Sequence, residues 1–251
     1  MADELLRKRL LELARRAYDK GIYTYTDFLS MAEIAEFRAV ERQIAHVPRA
    51  LQGGAEGCER QMVCFGSEEL CGYSELPPIC CLEARPLNQK FADKLTHRDF
   101  LGSLMGLGIK RQAVGDIVVR ENMAYIFCLA NMADYICQNL VQVRRTGISC
   151  HVADSLPTGP LFTLKEVSVQ VSSERLDAVI AHVWHLSRGD AAGLFAQEKV
   201  FVNGAQCISS SHKPAEGDVV SVRGLGRFAY GGVAGVSRKG KLNVRIQLYE
   251  G

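Results

Sequence analysis

Between Ser173 and Arg227 two short helical periodicities are followed at once by strand and turn signals, and this succession constrains the fold more than any other part of the chain. Leu176, Val179, Ile180 and Val183 recur at i, i+3, i+4 and i+7, the spacing of one buried helix face. Ser173 is the expected N-cap, and the helix should end near Leu186. Ser187-Arg188-Gly189-Asp190 reads as a Ser-x-x-Asp variant of the capping box, whose side chains bond backbone N–H groups that a helix start leaves unpaired. Ala191, Leu194 and Phe195 give the second helix its buried side. Val200-Phe201-Val202 runs into Asn203-Gly204, a hairpin signature because both residues tolerate the positive φ of a two-residue turn. Lys213-Pro214 and Glu216-Gly217-Asp218 mark a further turn before a strand from Val219 to Val222.

This scheme places the cations. Arg188 falls in the first turn of a helix, where the macrodipole favours an acid and where free N–H groups suit a phosphate. Arg175 falls in the first turn of the preceding helix, and Lys199, Lys213, Arg223 and Arg227 fall at strand ends or turns. Brought together, they make a basic face with no acidic cluster interrupting it, the electrostatic footprint of a nucleic-acid binder.

In order, Arg175-Leu176-Asp177, Leu186-Ser187-Arg188, Val200-x-Val202-Asn203-Gly204, Lys213-Pro214, Gly217-Asp218 and Arg223-Gly224-x-Gly226-Arg227-Phe228 resemble an S4 RNA-binding domain. The resemblance implies an RNA-binding set of Arg175, Asp177, Ser187, Arg188, Lys199, Asn203, Lys213, Arg223 and Arg227. For Arg175 and Asp177 the residues themselves leave a second role open, a local ion pair that holds the helix start.

The whole chain has 251 residues, enough for one to three modest domains. We expect an α+β protein of three modules: an N-terminal α/β module over 1–76, a βαββαβ domain of RRM or ferredoxin-like type over 77–160, and the S4 domain with C-terminal strands over 165–251. Residues 1–84 hold ten Lys and Arg against 14 Asp and Glu, and residues 85–251 hold 20 against 14, so an acidic front precedes a basic back. No apolar run approaches the roughly 18 residues of a membrane span, and the N-terminus is an amphipathic helix carrying acids, so a cytoplasmic location is expected. The nine cysteines include no Cys-x-x-Cys pair. Cys58, Cys64, Cys71, Cys80 and Cys81 are spaced too loosely for a zinc module, while Cys128 and Cys137 sit in apolar patterns as small hydrophobes. His182 and His185 share a helix without an acidic or Cys partner, so no metal site and no cofactor are expected.

At the front, Leu5, Leu6, Leu10, Leu13, Ala14 and Ala17 stripe a helix stopped by Gly21. Ser30-x-x-Glu33 is a capping box opening a helix through about His46, and strands are expected over 47–51 and 61–65. Pro77-Pro78 marks the next boundary. The middle domain reads as a strand over 79–84, a helix over 96–107, a hairpin about Glu121-Asn122, a helix over 131–143 and a strand over 148–152. Tyr125 and Phe127 share one strand face, but the first strand offers no aromatic beside them, so core packing is their expected use. His97, Arg98, Lys110, Arg111, Arg144 and Arg145, each at a helix end or in a loop, form a secondary set of phosphate-contact candidates.

The run His97-Arg98-Asp99-Phe100-Leu101-Gly102-Ser103-Leu104-Met105-Gly106-Leu107-Gly108-Ile109-Lys110-Arg111, then Gly115-Asp116-Ile117, with Thr26-Asp27-Phe28-Leu29 upstream, resembles the YlmH/RqcP type of bacterial S4 proteins. That resemblance spans nearly the whole chain. It implies a non-catalytic protein that binds ribosomal RNA and tRNA on the large ribosomal subunit during quality control of stalled nascent chains, as a monomer away from the ribosome. Because the family is encoded among division genes, a protein-interaction role in cell division with incidental RNA binding is the alternative. The chain departs from the family at Gln197-Glu198-Lys199 and at Gly231-Gly232-x-x-Gly235, which bears on how the last strands hang. An RNA-modifying enzyme is disfavoured by the residues. The one Arg-Leu-Asp belongs to the S4 helix, Gly106-x-Gly108 follows a helix, and Gly224-x-Gly226 precedes none.

Overall fold

The computed structural model describes residues 2–155 and 163–250, which fall into two compact units on either side of residues 156–162. The boundary expected at 160–165 therefore lies partly outside the described residues. The fold is α+β, with three antiparallel sheets.

The first unit holds two separate apolar cores. Helix α1 (Ala2–Lys20) buries its stripe from Leu10 to Ala17 but leaves Leu5 71% exposed, and stops at Gly21, whose φ of 59° suits glycine. Strand β1 (Thr24–Tyr25) precedes α2 (Met31–Val40), where both hydrogen bonds of the Ser30/Glu33 capping box are formed. A 3-10 turn over Glu41–Ile44 replaces the last part of the expected helix. Strands β2 (Arg49–Gln52) and β3 (Met62–Phe65) complete a sheet ordered β1-β3-β2, and a short helix α3 (Glu68–Cys71) follows. Leu10, Leu13, Ala14 and Ala17 pack with Ile34, Phe37, Val63 and Phe65 in the core.

The second core lies beneath β4 (Ile79–Pro86), α4 (His97–Gly106), β5 (Val114–Arg120), β6 (Met123–Leu129), α5 (Ala133–Asn139), β7 (Gln142–Val143) and β8 (Thr146–Val152). Their sheet is ordered β5-β6-β4-β8-β7. The hairpin turn falls at Glu121-Asn122 with φ of 46° and 69°, the geometry a two-residue primed turn demands. The second helix is shorter than its periodicity implies. It stops at Asn139, and β-branched Val143 joins an edge strand instead of a fourth helical turn.

Tyr125 and Phe127 are 6% and 1% exposed, and the first module packs close to Phe127. A Cβ built on Gly115 would stand 2.8 Å from the Phe28 ring and 3.0 Å from Phe127 Cβ, and one on Gly54 would stand 2.5 Å from the Phe127 ring. The Arg60 guanidinium donates across the same junction to the carbonyls of Phe28 (2.8 Å) and Val114 (3.1 Å). Gly115→Ala is accordingly expected to destabilise the first unit by about 1–3 kcal/mol through overpacking. A lowered urea midpoint in far-UV circular dichroism would show it, and an unchanged midpoint would contradict this close approach.

The second unit begins with β9 (Thr163–Val171), followed by α6 (Leu176–Val183), α7 (Arg188–Ala196), β10 (Val200–Val202), β11 (Ala205–Gln206), β12 (Val219–Val222), β13 (Gly226–Val236) and β14 (Leu242–Glu250). Its sheet is ordered β11-β10-β12-β13-β14-β9, and the apolar faces of both helices pack on it. β13 carries register shifts between Tyr230 and Val233 at Gly231-Gly232. The nine cysteines are all free thiols, and burial pushes those of Cys64 and Cys81 up to about 12, away from reactivity.

Candidate nucleic-acid interface

The start of α6 differs from the sequence expectation. Ser173 is not its cap; Arg175 occupies the N-cap position, and its side chain makes no cap bond. The first helical N–H groups, of Leu176 and Asp177, are instead taken by the carbonyls of His212 (2.8 Å) and Ser210 (3.1 Å), so the segment carrying Lys213 is tied to the helix start. The Arg175 side chain forks onto Asp177, Nε to Oδ1 at 3.0 Å and Nη2 to Oδ2 at 2.8 Å. Asp177 Oδ1 also accepts the Ala178 N–H at 2.8 Å. The Asp177 side chain is 3% exposed and that of Arg175 36%. The carboxylate is thus an internal anchor that presents the arginine to solvent, the local ion pair that the residues left open.

Hydrogen bonding from Arg175 holds the Asp177 carboxyl below the usual carboxylate range, against the opposing effect of burial. The charges of Arg175 and Arg188 and the Ala178 N–H add to it, so Arg188 lies within electrostatic reach of the same carboxylate. Arg188 opens α7 as expected. Ser187 Oγ accepts the Asp190 N–H at 3.1 Å and donates to Asp190 Oδ2 at 2.7 Å, leaving Arg188 exposed on the capped turn.

At the turn between the helices, Trp184 leans on the β12–β13 connection. A Cβ on Gly226 would stand 3.8 Å from its ring, and its centroid is 5.6 Å from that of Phe228. This contact ties the end of α6 to the connection flanked by Arg223 and Arg227. The Arg223 guanidinium lies 4.5 Å from the Phe201 ring centroid and that of Arg227 lies 4.0 Å from Tyr249, so two arginines lie over aromatic rings. Lys199 shares this end of the sheet, its carbonyl accepting the Arg223 N–H at 2.9 Å. Trp184, Phe201 and Tyr249 are positioning residues that the sequence reading missed, because their partners are strands or helices apart.

Asn203 stands apart, at the opposite end of β10. In the left-handed region (φ 49°), it donates to Asp218 Oδ1 at 2.7 Å and accepts the Val219 N–H at 3.0 Å, so its amide is spent on the turn.

In the first unit, His97 and Arg98 are exposed on the first turn of α4, and Arg144 and Arg145 are exposed on the β7–β8 turn, with Arg144 Nε 3.8 Å from Asp99 Oδ1. Lys110 is exposed. Arg111 is not comparable to these: its guanidinium turns inward to the carbonyls of Val114 and Gly115. Burial, and then the charge of Arg60, push its pKa down from the usual range. Its two hydrogen-bond partners lie three and four residues further along the chain. Among the described residues, no group of three or more His, Cys, Asp or Glu could hold a metal ion, and no helix is long and apolar enough to cross a membrane.

The family model described as "Putative RNA-binding domain in YlmH" matches residues 84–155, so the chain carries a domain of that class. Over 241 residues the chain is 32% identical to the "Ribosome-associated protein quality control protein P2" of Bacillus subtilis (strain 168), covering 94% of this chain and 91% of the relative. The chain belongs to this YlmH/RqcP-type family. The solved "Cell division protein ylmH from Streptococcus pneumoniae" is 20% identical, with a TM-score of 0.48, covering 61% of this chain and 92% of that one.

Proposed function

We propose that this chain is a non-catalytic RNA-binding protein of ribosome-associated quality control that docks on the large ribosomal subunit in the cytoplasm, contacting ribosomal RNA and tRNA. The contact runs through its second unit, read as an S4-type module. The observation that carries this reading is the pinned arginine set. Arg175 is fixed by the buried Asp177, Arg188 stands exposed on a capped helix start, and Arg223 and Arg227 lie over aromatic rings at the same end of the sheet. Preorganised guanidiniums lose little side-chain freedom when they meet a phosphate backbone. The relation to a quality-control protein supports the cellular setting. In the first unit, the βαββαβ element order and the β5-β6-β4-β8 strand order support the RRM or ferredoxin-like reading. The Asp177 and Asn203 side chains then serve the site by holding its frame.

The test is a titration of the full chain onto ribosomal RNA fragments across a salt series. Neutralising phosphates releases counterions, so log affinity should fall linearly with log salt. With about four arginines engaged, a slope near −3 to −4 is expected. A salt-independent association, or none, would reject the reading.

A further inference from the structure

Tyr125 and Phe127 are buried, so the two rings of the matched domain's central strand are closed to bases, and an edge of that domain offers an exposed ring instead. One edge is built for it. The connection between β4 and α4 carries Leu87 and Phe91, 72% and 79% exposed, and Lys90 and Lys94 are exposed beside them. The Lys90 ammonium lies 5.9 Å from the Phe91 ring centroid.

This connection is stitched to the arginine-bearing β7–β8 turn at both ends. The Leu87 N–H donates to Gly147 O (2.9 Å), the Asp93 N–H donates to Thr146 Oγ1 (2.9 Å), and Arg145 N–H reaches Asp93 Oδ2 (3.4 Å). It is tied equally to the β5–β6 turn, where Asn122 Oδ1 accepts the Leu95 N–H (2.7 Å) and its Nδ2 donates to Asp93 O (2.7 Å). A loop held this firmly keeps a phenylalanine in water where hydrophobic burial would turn it inward. The local acids are engaged: Asp93 with Arg145 N–H, and Asp99 with the Thr96 hydroxyl and backbone and with Arg144. Glu121 is the exposed acid that remains.

We propose that this edge is a clamp for single-stranded RNA, in which Phe91 stacks on an unpaired base while Lys90, Lys94, Arg144 and Arg145 take the flanking phosphates. An exposed ring among cations suits a base attached to its backbone. A base within a duplex has no free face to offer, and a protein-docking patch would exclude charge from its centre. The proposal rests on the RNA-binding reading above and adds a second, structurally separate contact.

The test uses the full chain carrying Arg175→Ala and Arg188→Ala, so that the second unit competes weakly. It is titrated with a 12-nucleotide single-stranded RNA containing 2-aminopurine and with a hairpin duplex. Phe91→Ala should weaken the single-strand complex about tenfold and abolish quenching of the fluorescent base, while leaving hairpin affinity and the melting transition unchanged. Phe91→Tyr should restore both losses. Arg144→Ala with Arg145→Ala should instead flatten the salt slope by about 1.4. Unaltered single-strand affinity in Phe91→Ala, or equal loss on the hairpin, overturns the clamp. So does unaltered RNA affinity with lost ribosome association, which would assign the patch to a protein partner. If the unsubstituted chain binds neither RNA nor ribosomes, the broader reading falls with it; if that chain binds and Phe91→Ala matches its parent, only the clamp falls.

Discussion

Arg188→Glu is expected to weaken RNA binding by on the order of 2–4 kcal/mol, roughly 30- to 1,000-fold, while the melting transition stays in place. The two halves of this expectation have separate causes. Arg188 is exposed on the first turn of α7, and the cap is made by Ser187 and Asp190, so removing its charge breaks no hydrogen bond of the fold. An acid in a first helical turn even suits the dipole. At the interface the same change sets a carboxylate against a phosphate as both lose water. Fluorescence anisotropy with labelled RNA gives the affinity, and the single tryptophan, Trp184, beside the site reports the fold. Equal affinities, or a collapsed transition, would contradict the assignment.

Asp177→Ala should do the reverse, acting first on stability. The carboxylate is buried and holds both arginine nitrogens, yet the arginine end is screened by solvent, so the cost is expected at about 1–2 kcal/mol. For a unit of this size that lowers Tm by roughly 5–15 °C. RNA affinity should fall as well, because Arg175 loses its preorganisation. The pH dependence follows from the direction of the shift. The folded carboxyl lies below its unfolded value, so the stabilisation is complete above the unfolded pKa of about 3.9 and disappears as pH falls through the folded pKa. Wild type and Asp177→Asn should therefore differ in Trp184-monitored melts at pH 7 and converge progressively below about pH 4. A constant gap down to pH 2 would show that the carboxylate charge is not what holds Arg175.

What could be read from the sequence was local chemistry. The Ser30 cap, the Asn203-Gly204 turn and the Glu121-Asn122 turn are each decided by residues within four positions and form as expected, while at Ser187 only the serine half of the box forms, Asp190 taking the Ser187 hydroxyl instead of a backbone N–H. Ser173 is not the cap because the helix starts later, with Arg175 at the N-cap position and the Leu176 and Asp177 N–H groups taken by His212 and Ser210, more than 30 residues away. Arg111 looked like a surface cation beside Lys110, but the carbonyls of Val114 and Gly115 hold its guanidinium inward, against burial and the like charge of Arg60. The covering of Phe127 by Gly54 and Phe28 was hidden, as was the placing of Arg227 over Tyr249. Residue type marked the cations of the site; which of them are pinned, and by what, depends on contacts between distant segments.

The central claim is that the second unit takes this protein to the large ribosomal subunit, and sedimentation through a sucrose gradient tests it most directly. Wild type should co-migrate with large subunits, more so when these carry stalled peptidyl-tRNA, and should be stripped off by high salt. The variant with Arg175, Arg188 and Arg227 all changed to Ala should remain at the top of the gradient. Co-sedimentation of that triple variant at the wild-type level, or a wild-type protein that never enters the large-subunit fractions, would contradict the account.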